Sequence, residues 1–230
     1  MLMNLLRSGF STQTLIGVFS SIFVVFCTLP IHEFAHAWVA TKLGDDTARL
    51  KGRLTINPLA HIDLIGALMI VLVGFGYAKP VPVNARRFKN PRGGMALTAL
   101  AGPLSNLIMA LFFLLLSNLS AYALSGDDAA ATYGVVLFVC RYFFYYAAYI
   151  NVSLAVFNLL PIPPLDGSRI ATLLIPAKYY FKIMQYERYI MLGILALLFF
   201  GVLSTPLAWI TGKVMIAVEW IAILPFRFIS

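Results

Sequence analysis

Long apolar runs separated by short polar loops set the pattern of this chain. The first run follows a helix-start sequence at residues 11–14, and its stretch Leu15–Ile31 carries no charged residue. About 20 apolar residues are needed to cross the hydrocarbon core of a bilayer. The pattern therefore predicts an all-α polytopic membrane protein with about five transmembrane helices. These are Leu15–Lys42, Met95–Leu124, Thr132–Leu160, Tyr189–Thr205 and Pro206–Ile229.

The segment after the first helix does not fit a simple span. The uncharged part of Ile62–Ala78 is the 15 residues of Leu64–Ala78, and three of these residues are glycines. Such a short stretch favours a re-entrant or β-containing segment that enters the membrane and returns, with a full span as the alternative. Alternation over Arg49–Ile56 predicts a strand. The two prolines in Lys79–Asn84 predict an extended edge segment.

Composition indicates a membrane protein with little mass outside the bilayer. The chain is 61% hydrophobic and 11% charged over 230 residues, whereas soluble domains carry about 25% charged residues. The formal net charge of +8 could indicate nucleic-acid binding, but the basic residues lie in short loops between apolar runs. That distribution is typical of cytoplasmic loops that face anionic lipid, so we expect the lipid bilayer as a partner and no nucleic acid.

Loop charge also predicts the direction of each helix. Lys79–Arg92 carries five basic residues and no acidic one, and Arg169–Arg188 carries four basic residues and one acidic residue. The loop Ser125–Ala131 has two aspartates and no basic residue, so it should face outside. The first long helix then ends near the cytoplasm, and the third long helix returns to the same side. Residues near Lys42 and near Asp166 are therefore expected at one membrane face.

A metal-binding pattern lies in the first helix. Residues 32–36 form a His-Glu-x-x-His motif, and its two histidines lie on one helix face, where they can bind one metal ion. Glu33 is placed to act as a general base. Ionisable residues at membrane depth are costly, which favours this interpretation over a chance match in a core helix. A catalytic zinc site takes three protein ligands, so one more is required.

Asp166 is the best candidate for the third ligand. Prolines 161, 163 and 164 unwind the chain as it leaves the third long helix, and Gly167 allows a sharp turn. Broken helices at membrane depth are tolerated where they line a site. The alternative is an ordinary loop turn in which Asp166 is a helix N-cap. His61 is interpreted as a turn residue in preference to a ligand, and the role of Asn106 is left open.

Several segments of the chain together resemble a known family. The motif at residues 32–36 in an early transmembrane helix, followed much later by Asn158 and by Leu165-Asp166-Gly167, is similar to the site-2 protease family of intramembrane zinc metalloproteases. Three further segments resemble family segments in family order, namely Asn57–Asp63, Lys79–Asn84 and Ala101–Asn106. The likeness covers Leu15–Arg169 and resembles a minimal form without a PDZ-like domain. Leu64 stands where short members often have proline.

The resemblance implies roles for individual residues. It implies that His32, His36 and Asp166 bind Zn²⁺. It also implies that Glu33 activates water and that Asn158 helps to hold the unwound substrate strand. The substrate would be a transmembrane protein cut within or near the membrane, as in regulated intramembrane proteolysis.

The same resemblance sets the expected organisation and location. We expect one membrane-embedded protease domain over residues 1–230, with a catalytic core at about 15–169 and C-terminal helices at 189–229. The protein should be multi-pass in a prokaryotic cell (inner) membrane, with its active site toward the cytoplasm. Its oligomeric state is not predicted.

Three alternatives remain open on sequence alone. A membrane metal transporter would need more histidines or acids along a path, but the chain has three histidines and two of them share one motif. A catalytically inactive homologue or structural membrane protein would keep the fold without activity. A different class of membrane zinc protease would take a glutamate as third ligand, for which Glu187 and Glu219 are available.

Overall fold

The computed structural model describes residues 11–61, 63–66, 68, 79–174, 182–183 and 185–228, and every regular element within them is helical. The long helices are α1 (Thr12–Lys42), α4 (Pro91–Leu124), α5 (Asp127–Asn158) and α8 (Ser204–Ile223). The short helices are α2 (Thr47–Leu50), α3 (Pro58–His61), α6 (Asp166–Ala171) and α7 (Glu187–Phe199). Two 3₁₀ turns lie at Ala85–Arg87 and Leu224–Phe228.

Four helices in the described part of the chain are long and apolar enough to cross a membrane. They are Thr12–Lys42, Pro91–Leu124, Ala131–Asn158 and Ser204–Arg227. The fifth predicted span, Tyr189–Thr205, does not form one continuous helix, because α7 has only 13 residues. A helix of that length measures about 20 Å, against a hydrocarbon core of about 30 Å. The predicted count of about five spans is therefore not confirmed.

A glycine ends α7. Gly201 has a φ of 76°, and Val202 N donates a hydrogen bond to Leu197 O at 2.9 Å, which is the Schellman arrangement at a helix C-terminus. A residue without a Cβ adopts this conformation at the lowest cost. The apolar run continues without interruption through this turn. Hydrophobicity alone therefore predicted a single span where the helix ends.

Helices α4 and α5 form the centre of the bundle, and α1 packs against both. Their side chains form one buried core that includes Val24, Val25, Phe113, Leu114 and Val152. Serine hydroxyls join the helices at two points, because Ser20 Oγ donates to Phe143 O and Ser117 Oγ donates to Arg141 O, each at 3.0 Å. Such interhelical hydrogen bonds and close packing hold helices together in lipid. They fix the position of the polar motif on α1 relative to α4.

Helix α1 contains a π turn at Val24–Thr28, just before Pro30. Leu29 N donates to Val24 O, five residues back, and Thr28 Oγ1 donates to the same carbonyl at 3.0 Å. Proline has no N–H to donate, and a wide turn is one way for a helix to accommodate it. The helix therefore continues past Pro30 into the metal-binding motif.

The strand expected at Arg49–Ile56 is wrong. Thr47–Leu50 forms α2, and Gly52, with a φ of 65°, lies in the turn that follows. The Asp45 side chain accepts hydrogen bonds from the backbone N–H and the hydroxyl of Thr47, at 3.0 and 2.5 Å. Such local bonds favour a turn over a strand. They outweigh the weak alternation that suggested the strand.

Most of the short segment at residues 62–78 lies outside the described residues, so its predicted re-entrant or β-containing form remains a prediction. Residues 79–84 contain no helical residue, as their two prolines predicted. We call residues 79–84 the strap, because they run past the motif on α1 before the chain enters α4.

Candidate metal centre

His32 and His36 lie one turn apart on the same face of α1. Their side chains are buried, and their Nε2 atoms are 3.0 Å apart. The i and i+4 spacing of the motif produces this arrangement directly, as the sequence predicted. Glu33 is also buried, with 7% of its surface exposed.

Asp166 reaches the same point from a distant part of the chain. Helix α5 ends at Asn158, and a proline-rich turn leads into α6, whose first residue is Asp166. Asp166 Oδ2 lies 3.3 Å from Nε2 of His32 and 3.2 Å from Nε2 of His36. The N-cap of α6 is Leu165, and no side chain caps the helix. The simple N-cap interpretation of Asp166 is therefore wrong.

The three atoms form a nearly equilateral triangle that fits a metal ion. Ligand atoms at about 2.0–2.1 Å from a tetrahedral zinc ion lie roughly 3.3 Å from one another. Asp166 Oδ2 is buried and makes no hydrogen bond of acceptable direction, although two nitrogen atoms lie close to it. That is the geometry expected when all three atoms point at one shared ion. Two imidazoles and one carboxylate also form a donor set that zinc accepts.

The charge state of Asp166 suits a metal ligand. Burial alone raises the pKa of its carboxyl group, but the neighbouring His36 and His32 outweigh burial and hold that pKa well below its usual range. A carboxylate must be deprotonated to bind a metal ion. The direction of this shift is therefore the one that a metal ligand needs.

Helix α4 supports the two histidines. His36 Nδ1 lies 2.7 Å from the carbonyl oxygen of Thr98. Because a carbonyl can only accept, Nδ1 donates the hydrogen bond, and Nε2 is left free to bind a metal. One turn further along α4, a Cβ on Gly102 would collide with Nε2 of His36 and with Cε1 of His32. The sequence singled out Ala101–Asn106 by resemblance but did not assign these two roles.

Asn106 continues the same face of α4, four residues beyond Gly102. Its side chain is 1% exposed and lines the cavity beside the motif. Neither of its amide atoms has a hydrogen-bond partner among the described residues, and the same is true of His32 Nδ1. Buried polar atoms without partners are uncommon in native proteins. The residue whose role the sequence left open therefore belongs to the wall of the candidate site.

A cavity of about 950 Å³ adjoins the motif. Its polar wall includes His32, Glu33, His36 and Asp166, and much of its apolar wall comes from α5 and α7. The apolar residues include Leu154, Phe157, Met191, Leu192 and Leu195. A mostly apolar cavity with a few converging polar groups is typical of a binding site for a substrate.

The other residues singled out from sequence lie in different places. Asn158 lines the cavity, and its Nδ2 donates to Leu154 O at 3.0 Å. Glu187 also reaches the cavity but is not in the three-residue cluster, and Glu219 lies beside Tyr145. His61 is the buried last residue of α3, and its Nε2 lies 2.7 Å from Thr55 O. The structure thus brings together His32, His36 and Asp166 and neither of the two alternative glutamates.

Gly167 is required where the turn passes the end of α5. A Cβ at this position would collide with the backbone carbonyl groups of Leu159 and Leu160. Because backbone atoms cannot move aside easily, we expect Gly167→Ala to displace Asp166 and to lower zinc affinity about 10- to 100-fold. Competition with a chromophoric chelator measures this affinity. Gly193→Ala is the control, since its Cβ meets nothing within 4 Å, and equal affinities in the two variants would contradict the prediction.

Comparison with known proteins agrees with this chemistry. The sequence profile of Peptidase family M50 matches residues 20–201. YwhC of Bacillus subtilis, provisionally named a zinc metalloprotease, is 44% identical over 169 residues, which cover 73% of this chain and 74% of that protein. Rip2 of Mycolicibacterium smegmatis bears the same kind of provisional name and is 33% identical over 147 residues.

Rip2 of Mycobacterium tuberculosis, also provisionally a zinc metalloprotease, is 31% identical over 144 residues. The match covers 61% of this chain but only 51% of either Rip2 protein, so the chain spans about half the length of those relatives. No solved structure gives a significant match.

Proposed function

Because the chain belongs to Peptidase family M50, the site-2 protease family of zinc metalloproteases, we propose that it is an intramembrane protease. It hydrolyses peptide bonds within or near the transmembrane segments of other membrane proteins, as in regulated intramembrane proteolysis. The observation that best supports this proposal is the triangle of His32, His36 and Asp166 beside a cavity that also contains Glu33.

Each residue of the site has a defined task in this proposal. His32, His36 and Asp166 hold zinc, which when bound supplies a Lewis acid that lowers the pKa of water and polarises the scissile carbonyl. Glu33 takes a proton from the attacking water and returns it to the leaving amine. The water oxygen becomes part of the new carboxylate, while the peptide C–N bond breaks.

The cavity provides what hydrolysis in a membrane requires. Lipid excludes water, so a polar wall that contains Glu33 and Asp166 must connect with an aqueous side. A helical substrate shields its peptide bonds by internal hydrogen bonds, so it must unwind before it reaches these residues. In our proposal the Asn158 amide, on the wall of the same cavity, then binds the freed backbone.

Loop charge supports a location and a class of partner. The basic loops around residues 79–92 and 169–188 favour the cytoplasmic side for the end of the bundle that carries the site. We therefore propose a multi-pass protein of a prokaryotic cell (inner) membrane, with its active site toward the cytoplasm. The substrate is a transmembrane protein, and no nucleic acid is involved.

The test measures bound zinc and cleavage in the same preparations. We expect the purified wild-type protein to bind one zinc ion per chain and to cleave a generic transmembrane substrate. His36→Ala and Asp166→Ala should lose or weaken zinc binding and should lose cleavage, because three protein ligands are needed. Asp46→Ala is the matched control, since Asp46 is partly exposed and its ion pair, at 3.9 Å, is with Arg49.

Each outcome separates the candidate functions. Full zinc content in Asp166→Ala would mean that another residue is the third ligand. Zinc binding without cleavage in the wild type would favour an inactive homologue. Zinc transport into proteoliposomes without cleavage would favour the transporter.

A further inference from the structure

The strap makes a hydrogen bond to the motif on α1. Val81 N donates a hydrogen bond to Glu33 Oε2 at 3.0 Å. The proposed chemistry uses Glu33 as a general base, so the group that holds its carboxylate influences where the proton can go. The other oxygen, Oε1, makes no hydrogen bond to any described residue and remains available for proton transfer.

The sequence of the strap explains why Val81 is the donor. Its two neighbours, Pro80 and Pro82, have no backbone N–H. Pro82 also restricts Val81 to extended conformations, which keeps the orientation of this N–H nearly constant. The strap therefore offers one fixed donor at the level of Glu33.

Contacts at both ends hold the strap in place. At its start, Lys79 N donates to His61 O at 2.8 Å, and Arg53 donates to the carbonyl oxygens of Lys79 and Pro80 at 2.6 and 3.2 Å. At its end, Asn84 N donates to Asp45 Oδ2 at 2.6 Å. The strap thus cannot shift along α1 unless these bonds break.

Asp45 is the buried anchor of this arrangement. Its side chain is fully buried, at 0% exposure, although it is a carboxylate just past the end of α1. One oxygen accepts the two bonds from Thr47, and the other accepts the bond from Asn84. Arg87 Nε lies 4.0 Å away and supplies the opposite charge. A buried carboxylate is costly unless it is paired and hydrogen-bonded, and here it joins the end of α1 to the strap.

We infer that Asp45 and Val81 are positioning residues for Glu33, and that Val81 acts through its backbone N–H. Asp45 fixes the strap through Asn84, and the strap fixes the Glu33 carboxylate through Val81. This inference rests on the proposed protease function, and it assigns a task to a strap and a buried aspartate that lie outside the ligand set.

The first test removes the donor without changing the fold of the strap. Val81→Pro deletes the N–H at a position that is already extended, and Val83→Pro makes the same change two residues later, where the N–H contacts no described residue. We expect kcat of Val81→Pro to fall about 10- to 100-fold, because an error of about 1 Å in positioning costs up to about 100-fold. Zinc content should remain unchanged. Val83 lines the same cavity as Val81, so Val83→Pro is a matched control, and its kcat should fall much less.

The second test asks whether Asp45 and Val81 act through the same contact. Asp45→Ala should lower kcat with zinc retained, whereas the neighbouring Asp46→Ala should not. If Asp45 acts through the strap, adding Asp45→Ala to Val81→Pro should cause no further loss. If Asp45→Ala does not fold, Val81→Pro and Val83→Pro still decide the question.

A third measurement does not depend on activity. With ¹⁵N-valine labelling in detergent micelles, the Val81 amide proton should resonate downfield and should move upfield in Glu33→Gln, because a hydrogen bond to a neutral amide is weaker than one to a carboxylate. The signal should also move in Asp45→Ala. If the wild type does not cleave, the protease proposal fails while this signal still reports the contact.

Two results would overturn the inference. The first is an equal or higher kcat in Val81→Pro than in Val83→Pro. The second is a Val81 amide signal that is insensitive to Glu33→Gln. If the fold-losses in kcat multiply in the double variant, Asp45 acts independently of Val81. Asp45 would then not position Glu33 through the strap.

Discussion

Glu33→Gln is expected to lower the cleavage rate about 100- to 10,000-fold while the protein keeps its zinc. Glutamine has nearly the same shape as glutamate and can still accept the hydrogen bond from Val81. It cannot take a proton from water at neutral pH, so only the acid–base step is lost. His32, His36 and Asp166 are unchanged and should hold the metal as before. The measurement combines initial cleavage rates in proteoliposomes with zinc content by atomic emission.

Glu219→Gln is the matched control for this variant. Glu219 is also a glutamate in a membrane-length helix, but it lies beside Tyr145 and outside the three-residue cluster. The Glu219→Gln variant should cleave at close to the wild-type rate. Loss of zinc from Glu33→Gln would show that Glu33 supports the metal site as well as the reaction. Undiminished cleavage would remove Glu33 from the mechanism.

Gly102→Ala is expected to lower zinc affinity by about 100-fold or more and to abolish cleavage at limiting zinc. The added Cβ would collide with rings of both histidine ligands, at Nε2 of His36 and Cε1 of His32. Either the imidazoles must rotate away or α4 must move away from α1. Both changes increase the distances between the three ligand atoms. The intrinsic helix preference for alanine acts in the opposite direction by only about 1 kcal/mol.

Gly134→Ala is the control for Gly102→Ala. Gly134 also lies in a membrane-length helix, and a Cβ there meets nothing within 4 Å. Chelator competition on both variants, with thermal unfolding in the presence and absence of zinc, separates a metal defect from a general one. Wild-type zinc affinity in Gly102→Ala would mean that the two histidines do not bind the metal in the observed arrangement.

The sequence predicted the proximity of His32, His36 and Asp166 better than it predicted the helices around them. The motif at residues 32–36 is local, so its geometry follows from helix periodicity alone, and Pro164 and Gly167 mark the turn that presents Asp166. Loop charge also predicted that both parts lie at one membrane face. These signals needed no knowledge of which helices contact each other.

Other features depend on contacts that a single sequence does not reveal. Thr98 supports His36 through a backbone carbonyl, which every residue type possesses, so its identity carried no signal. The strand predicted at Arg49–Ile56 failed because Asp45 bonds to Thr47 and to Asn84 at once. Gly201 did carry a signal for the end of α7, but the apolar run around it concealed that signal.

The separation of the ligands along the chain has a consequence for biosynthesis. His36 leaves the ribosome 130 residues before Asp166. At about 5–20 residues per second, this interval lasts roughly 6 to 26 s, during which two long helices must enter the bilayer. Until then the histidine pair has too few partners to retain a catalytic metal ion. If the proposed function is right, the nascent chain is therefore inert toward neighbouring membrane proteins until most of it has been inserted.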